Sequence, residues 1–167
     1  MQWAERTSVR KGSLGEAIVD DYLRSRGLVP YAPIGDGAHP FDRLCATKDK
    51  RRIFVCEVKT KARRTYYPDT GINETHFNDY MRVVSTHAIS VWLLFADEHE
   101  RRIYGGSIER LARERAVEHK GRVLMYPIRD RKIIYFPLCA MTDIAPLDEE
   151  TAEELKKLSR RNYAYES

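Results

Sequence analysis

Apolar positions along this chain alternate between a spacing near 3.6 and a spacing of two, which divides it into helices and strands. From Lys11 to about Arg26 there is no proline, and Leu14, Ala17, Ile18 and Tyr22 recur at helical spacing before Gly27, predicting a first helix closed by a glycine. Leu28 to Ile34 is apolar but contains Pro30 and Pro33. Proline cannot donate to a ladder, so an edge or irregular strand is expected, followed by a loop at Gly35-Asp36-Gly37.

Phe41 to Lys48 and Ile53 to Lys59 are strand-length, rich in β-formers and separated by Asp49-Lys50-Arg51-Arg52, a pattern that predicts a hairpin. A long connection through Pro68, Asp69 and Gly71 leads to Asn73. Helical spacing then returns from Glu74 to His87 through Phe77, Met81 and Val84, an apolar stripe suited to packing on a sheet. Ile89 to Ala96 is the most hydrophobic run, and its length and β-branched content predict a strand buried on both faces at the sheet centre. Beyond it the pattern predicts a strand over Arg102–Gly105, a helix over Ser107–Arg115, strands over Arg122–Ile128 and Lys132–Pro137, and a helix over Asp148–Arg161.

A length of 167 residues with 43% hydrophobic residues matches a single domain over 1–167. No run approaches the apolar length of a membrane helix and the start lacks a secretory pattern, so the cytoplasm is the expected location. Cys45, Cys56 and Cys139 form no Cys-x-x-Cys pair and are read as small buried residues. The net charge of +4 suits a polyanion, and its distribution is more informative than its size. Lys48, Lys50, Arg51, Arg52, Lys59, Lys61, Arg63 and Arg64 crowd one stretch, followed by Tyr66 and Tyr67. A phosphate-binding face with base-stacking tyrosines is the functional reading; a solvated hairpin tip and loop is the competing one.

Side chains alternate along a strand, so Glu57 and Lys59 share a face with Val55 and Ile53. Asp42, Leu44 and Ala46 share a face of the partner strand. A two-residue turn at Asp49-Lys50 pairs Asp42 with Glu57, and a four-residue loop pairs Asp42 with Lys59; either register places all three groups on one side. Two neighbouring carboxylates call for a cation, and oxygen ligands suit Mg²⁺ or Mn²⁺, with the Val58 carbonyl as a third donor. Such an ion activates water against a phosphodiester, with Lys59 placing that water and offsetting the developing charge. Glu-x-Lys occurs three times here, but Glu118-His119-Lys120 lies in a charged linker and Glu154-Leu155-Lys156 in a presumed surface helix. Only Glu57-Val58-Lys59 sits in an apolar strand, where charges need a partner or a metal.

The order of a helix bearing Glu16, then Pro40-Phe41-Asp42, then Glu57-Val58-Lys59, then a helix resembles the PD-(D/E)XK, or restriction-endonuclease-like, nuclease superfamily. Here Phe41 stands directly before the aspartate, with Pro40 one place earlier. Ser8 to Gly27, with its Gly15-Glu16 pair, is most similar to the archaeal Holliday-junction resolvase branch. The resemblance covers roughly residues 8 to 96. It implies an α/β fold with a four-stranded mixed sheet flanked by helices, to which the region after about residue 100 adds a β-hairpin and a helix. It also implies Mg²⁺-dependent hydrolysis of DNA phosphodiesters, metal ligation by Asp42 and Glu57, and Glu16 as an additional first-helix carboxylate. Resolvase-like nucleases act in DNA repair or recombination and are usually dimeric, so a homodimer is the corresponding expectation.

Competing readings stay open at this level. Ser13-Leu14-Gly15-Glu16 reads as a capping box, unless the helix begins at Ser8 or earlier and places Glu16 in its interior. Asp42 reads alternatively as a strand-end turn residue, and Glu57 with Lys59 as a simple ion pair. His76 and Tyr80 share one side of the second helix with Val83 and His87, from which either can approach the cleft or only pack; no zinc pattern accompanies them. The rival functional classes are a nucleic-acid-binding module on a nuclease fold and a nuclease acting on RNA.

Overall fold

The computed structural model describes residues 7–34, 40–60, 64 and 66–163. Gly35-Asp36-Gly37, Lys61 and Arg63 lie outside them. The first helix, α1 (Thr7–Ser25), starts earlier than periodicity indicates and ends where Gly27 adopts a φ of 75°. A six-stranded mixed sheet follows, built from β1 (Leu28–Tyr31), β2 (Arg43–Thr47), β3 (Ile53–Lys59), β5 (Val91–Asp97), β6 (Arg102–Ser107) and β11 (Thr142–Pro146), in that spatial order. The proline-bearing β1 is an edge strand, as its missing N–H requires. The central pair, β3 and β5, is parallel and all other pairs are antiparallel. Six strands replace the four that the resemblance implies.

Helix α2 (Glu74–His87) provides the crossover between the two parallel strands and stops at Ala88, whose left-handed backbone donates its N–H to the Val84 carbonyl. Its Phe77 and Tyr80 pack with Val55, Val91, Leu93 and Phe95 on one sheet face. The other face carries Cys45, Cys56, Val58, Leu94 and Ala96 against Val19 and Leu23 of α1 and Leu155 of α4 (Glu149–Tyr163). Strand β5 is buried nearly throughout because it is covered on both faces.

The C-terminal half departs most from expectation. The helix expected over Ser107–Arg115 is a single turn, α3 (Ile108–Leu111), because the chain turns at Ala112 and Arg115 opens a strand. That strand, β7 (Arg115–His119), pairs with β8 (Arg122–Tyr126) through Lys120-Gly121, both at positive φ as a two-residue hairpin turn requires. Glu118-His119-Lys120 is therefore part of a hairpin and no linker. The connection expected from Pro68 to Asn73 contains β4 (Asp69–Asn73), which forms a second sheet with β10 (Ile133–Pro137) and β9 (Ile128–Asp130). Gly71 is required there, since a Cβ would stand 2.5 Å from the Ile134 carbonyl oxygen. Cys45 and Cys56 are buried as expected, whereas Cys139 is exposed.

Candidate active site

The hairpin register selects one of the two alternatives: Arg43 faces Cys56 and Leu44 faces Val55, so the ladder carried one step further places Asp42 beside Glu57. Asp42 lies just before β2, and its Oδ2 accepts the Val58 N–H at 2.7 Å. The carboxylate thus takes the place of the next rung and is fixed over the strand that carries Glu57.

Glu57 alternates with Val55 and so enters the α2 side of the sheet, where only 3% of it is exposed. Its Oε1 accepts from the Lys59 ammonium, and Oε2 is buried with no hydrogen-bond partner among the described residues. Burial holds the Glu57 carboxyl above its ordinary range, Lys59 opposes that, and Asp42 reinforces it by like charge. Tyr80 of α2, itself buried, contacts the same carboxylate, and burial with the Glu57 charge pushes its hydroxyl well up. Sequence periodicity brought Tyr80 within reach of the cleft; His76 is exposed and its ring lies tilted beside that of Tyr80, with ring centroids 6.1 Å apart.

Glu16 occupies the interior of α1 rather than a cap, because the helix begins at Thr7. It is not brought into the Asp42, Glu57 and Lys59 group. Helix α1 covers the opposite sheet face, and Glu16 Oε2 accepts from Arg43 at 3.0 Å while Asp20 Oδ1 accepts from Arg43 Nε at 2.8 Å. The same guanidinium donates to the Asp42 carbonyl at 2.7 Å. Sequence reading missed Arg43. Its signal was an arginine at an inward strand position directly after the candidate aspartate. Among the described residues no group of three or more His, Cys, Asp or Glu side chains is arranged to hold a metal ion.

The basic residues divide. Lys48, Lys50, Arg51 and Arg52 are exposed at the hairpin tip, and Arg52 precedes Glu57 by five residues, ~17 Å of strand at ~3.3 Å per residue. Arg64 is engaged internally: its Nε and Nη2 donate to Asp69 at 2.7 and 2.5 Å, and it lies over the rings of Tyr67 and Tyr135. Asp69 is fully buried and also accepts from the Tyr126 hydroxyl at 2.7 Å. Tyr67 packs beside His119, while Tyr66 is 75% exposed.

No family model matches this chain, and no curated protein matches its sequence. Its fold is similar to that of Hjc, a Holliday junction resolvase from Archaeoglobus fulgidus: the TM-score is 0.54 at 13% identity, over 84% of this chain and 99% of the resolvase. The chain therefore shares a resolvase-like nuclease fold, a mixed central sheet flanked by helices.

Proposed function

We propose that this protein is a divalent-metal-dependent nuclease that hydrolyses DNA phosphodiester bonds, with a structure-specific, junction-resolving preference. The observation that carries this reading is the Glu57 carboxylate, buried with one oxygen unpartnered among the described residues, beside Asp42 and Lys59 on a resolvase-like fold. An ionised oxygen left without a donor in an apolar interior costs more than the 1–3 kcal/mol typical of a neutral orphan, so a cation is its natural complement. Hard oxygen donors fit Mg²⁺ or Mn²⁺, held by Asp42 and Glu57 with the Val58 carbonyl. When bound, such an ion supplies Lewis-acid polarisation of the phosphoryl group and a nucleophilic water at neutral pH.

The chain's own groups do the rest. Lys59, partly exposed beside Glu57, orients the attacking water and offsets the negative charge that develops on the phosphate. Tyr80, buried on α2, lies against the Glu57 carboxylate. Arg43 holds the Asp42 backbone, and Glu16 and Asp20 hold Arg43, so Glu16 assists as a positioning residue. Lys48, Lys50, Arg51 and Arg52, with Lys61 and Arg63, grip the DNA backbone. The test is a panel of junction, flap, duplex and single-stranded DNA incubated with and without Mg²⁺ or Mn²⁺. At least one form is cut only with the ion, and Glu57→Ala and Lys59→Ala each abolish cutting; full activity in both variants would end the assignment. A second reading, a binding module without turnover, is favoured by the capture of Glu16 by Arg43, which leaves two carboxylates rather than three at the site. Binding of every DNA form with cutting of none would support it.

A further inference from the structure

At the far end of the hairpin from Asp42 and Glu57, two concavities adjoin and share Leu28, Thr47, Arg51 and Arg52. The larger, of about 770 Å³, opens over the part of the sheet that α1 leaves uncovered. Its walls are apolar and aromatic, with Tyr22, Phe54, Trp92 and Ile144 prominent. The carboxylate on its rim, Asp143, is already neutralised by Arg102 at 2.6 Å. The smaller, of about 590 Å³, is cationic: Arg26, Lys48, Arg51 and Arg52 line it, with Asp49 as its one carboxylate. Among the described residues only Arg51 of these four has an ion-pair partner, Asp49 at 3.9 Å.

We infer that this double pocket binds an unpaired nucleotide of a DNA strand, its base against Trp92 and its phosphates on Arg26, Lys48, Arg51 and Arg52. The ligand must combine a flat apolar body with adjacent anionic groups, because the two halves of the site differ in that way and share a wall. A base with its phosphates meets both demands, whereas an apolar peptide leaves the cations unanswered and a duplex backbone leaves the aromatic wall unused. Each half by itself falls within the ~300–1,000 Å³ typical of ligand sites. Aromatic stacking beside arginines tolerates any base, so the site reads strandedness rather than sequence. The inference rests on the nuclease reading and adds to it: ~17 Å of strand separates Arg52 from Glu57, with the pocket on the α1 face of the sheet and Glu57 on the α2 face, so a DNA strand held at both passes around the sheet. A substrate with unpaired nucleotides near the cut would engage both ends of the hairpin.

The test uses the full chain with Trp3→Phe, which leaves Trp92 as the single tryptophan. A short single-stranded oligonucleotide and an abasic oligomer of equal length are titrated in the presence of chelator while tryptophan emission is followed. The oligonucleotide quenches Trp92 and binds roughly 5- to 100-fold more tightly than the abasic strand. The double variant Arg51→Ala/Arg52→Ala, exposed and harmless to the core, weakens binding and lowers its salt slope by about 0.7 for each phosphate no longer neutralised. Equal affinity for the abasic strand, or binding without any change at Trp92, would reduce the site to a charge patch and overturn the proposal. Quenching by an apolar peptide but not by the oligonucleotide would assign the cavity to a protein partner and overturn it equally. Because no ion and no turnover enter this assay, its outcome is independent of whether the carboxylate site cuts.

Discussion

Glu57→Gln should make the metal-free protein more stable while destroying its activity. The carboxylate is 3% exposed, and one of its oxygens has no donor among the described residues. The amide keeps the acceptor that Lys59 addresses and replaces a buried half-charge with a neutral group. Leaving a neutral polar group unpaired costs about 1–3 kcal/mol, and a charged one costs more. Against this stands the loss of ionic attraction to Lys59, whose ammonium is partly solvated and whose pairing is worth about 1 kcal/mol or less. The net expectation is a gain of about 1–2 kcal/mol, because the ammonium left behind is partly solvated and no buried unpaired charge results. Urea titration at neutral pH with chelator present should show a raised midpoint at unchanged slope, and melting should shift up by roughly 2–8 °C for a chain of this size. A variant less stable than the parent would show that Glu57 is a structural ion pair and refute the reasoning that it is retained for chemistry.

Three further expectations follow from packing and charge. Asp69→Ala strands Arg64 and the buried Tyr126 hydroxyl and should cost about 3–5 kcal/mol in denaturant unfolding, whereas Tyr126→Phe, which removes one hydrogen bond to a carboxylate that Arg64 still pairs, should cost about 1.5–3 kcal/mol. A Cβ on Gly15 would meet Thr60 Cγ2 at 1.9 Å, so Gly15→Ala should destabilise by about 1–2 kcal/mol despite better helix propensity, yet stabilise by up to ~1 kcal/mol in a Thr60→Ala background. Glu98 is buried, which raises its carboxyl pKa, but Lys11 and Ser159, both donating at 2.8 Å, outweigh burial and hold it below its ordinary range. Its contribution is therefore present above the unfolded carboxylate range and lost as pH falls through the folded one, and Glu98→Gln should flatten the acid limb of a stability-against-pH curve.

What periodicity exposes here is local, and the parts it missed are non-local. The 3.6 spacing of Phe77, Met81 and Val84 located α2 from Glu74 to His87, and the alternation in Ile53 to Lys59 fixed which charges share a face. Strand β4 was invisible because Asp69 and Gly71 are poor strand formers and its partner β10 lies some sixty residues on, where only tertiary pairing reveals why each is needed. Arg64 looked like one more free cation in a basic run. Tyr126, which shares Asp69 with it, is remote in sequence, and Asp69 has no local feature marking it as buried. At the site, Asp42, Glu57 and Lys59 were legible from hairpin geometry. The diversion of Glu16 to Arg43 was not, because it depends on how α1 seats against the far face of the sheet.

Convergence of Asp42 and Glu57 on one divalent ion is most directly tested by calorimetric titration with Mn²⁺. The account predicts one saturable site per chain in the parent, lost in Glu57→Ala and strongly weakened in Asp42→Asn, with both variants still folded by circular dichroism. No uptake by the parent, or uptake that survives removal of both carboxylates, would contradict it.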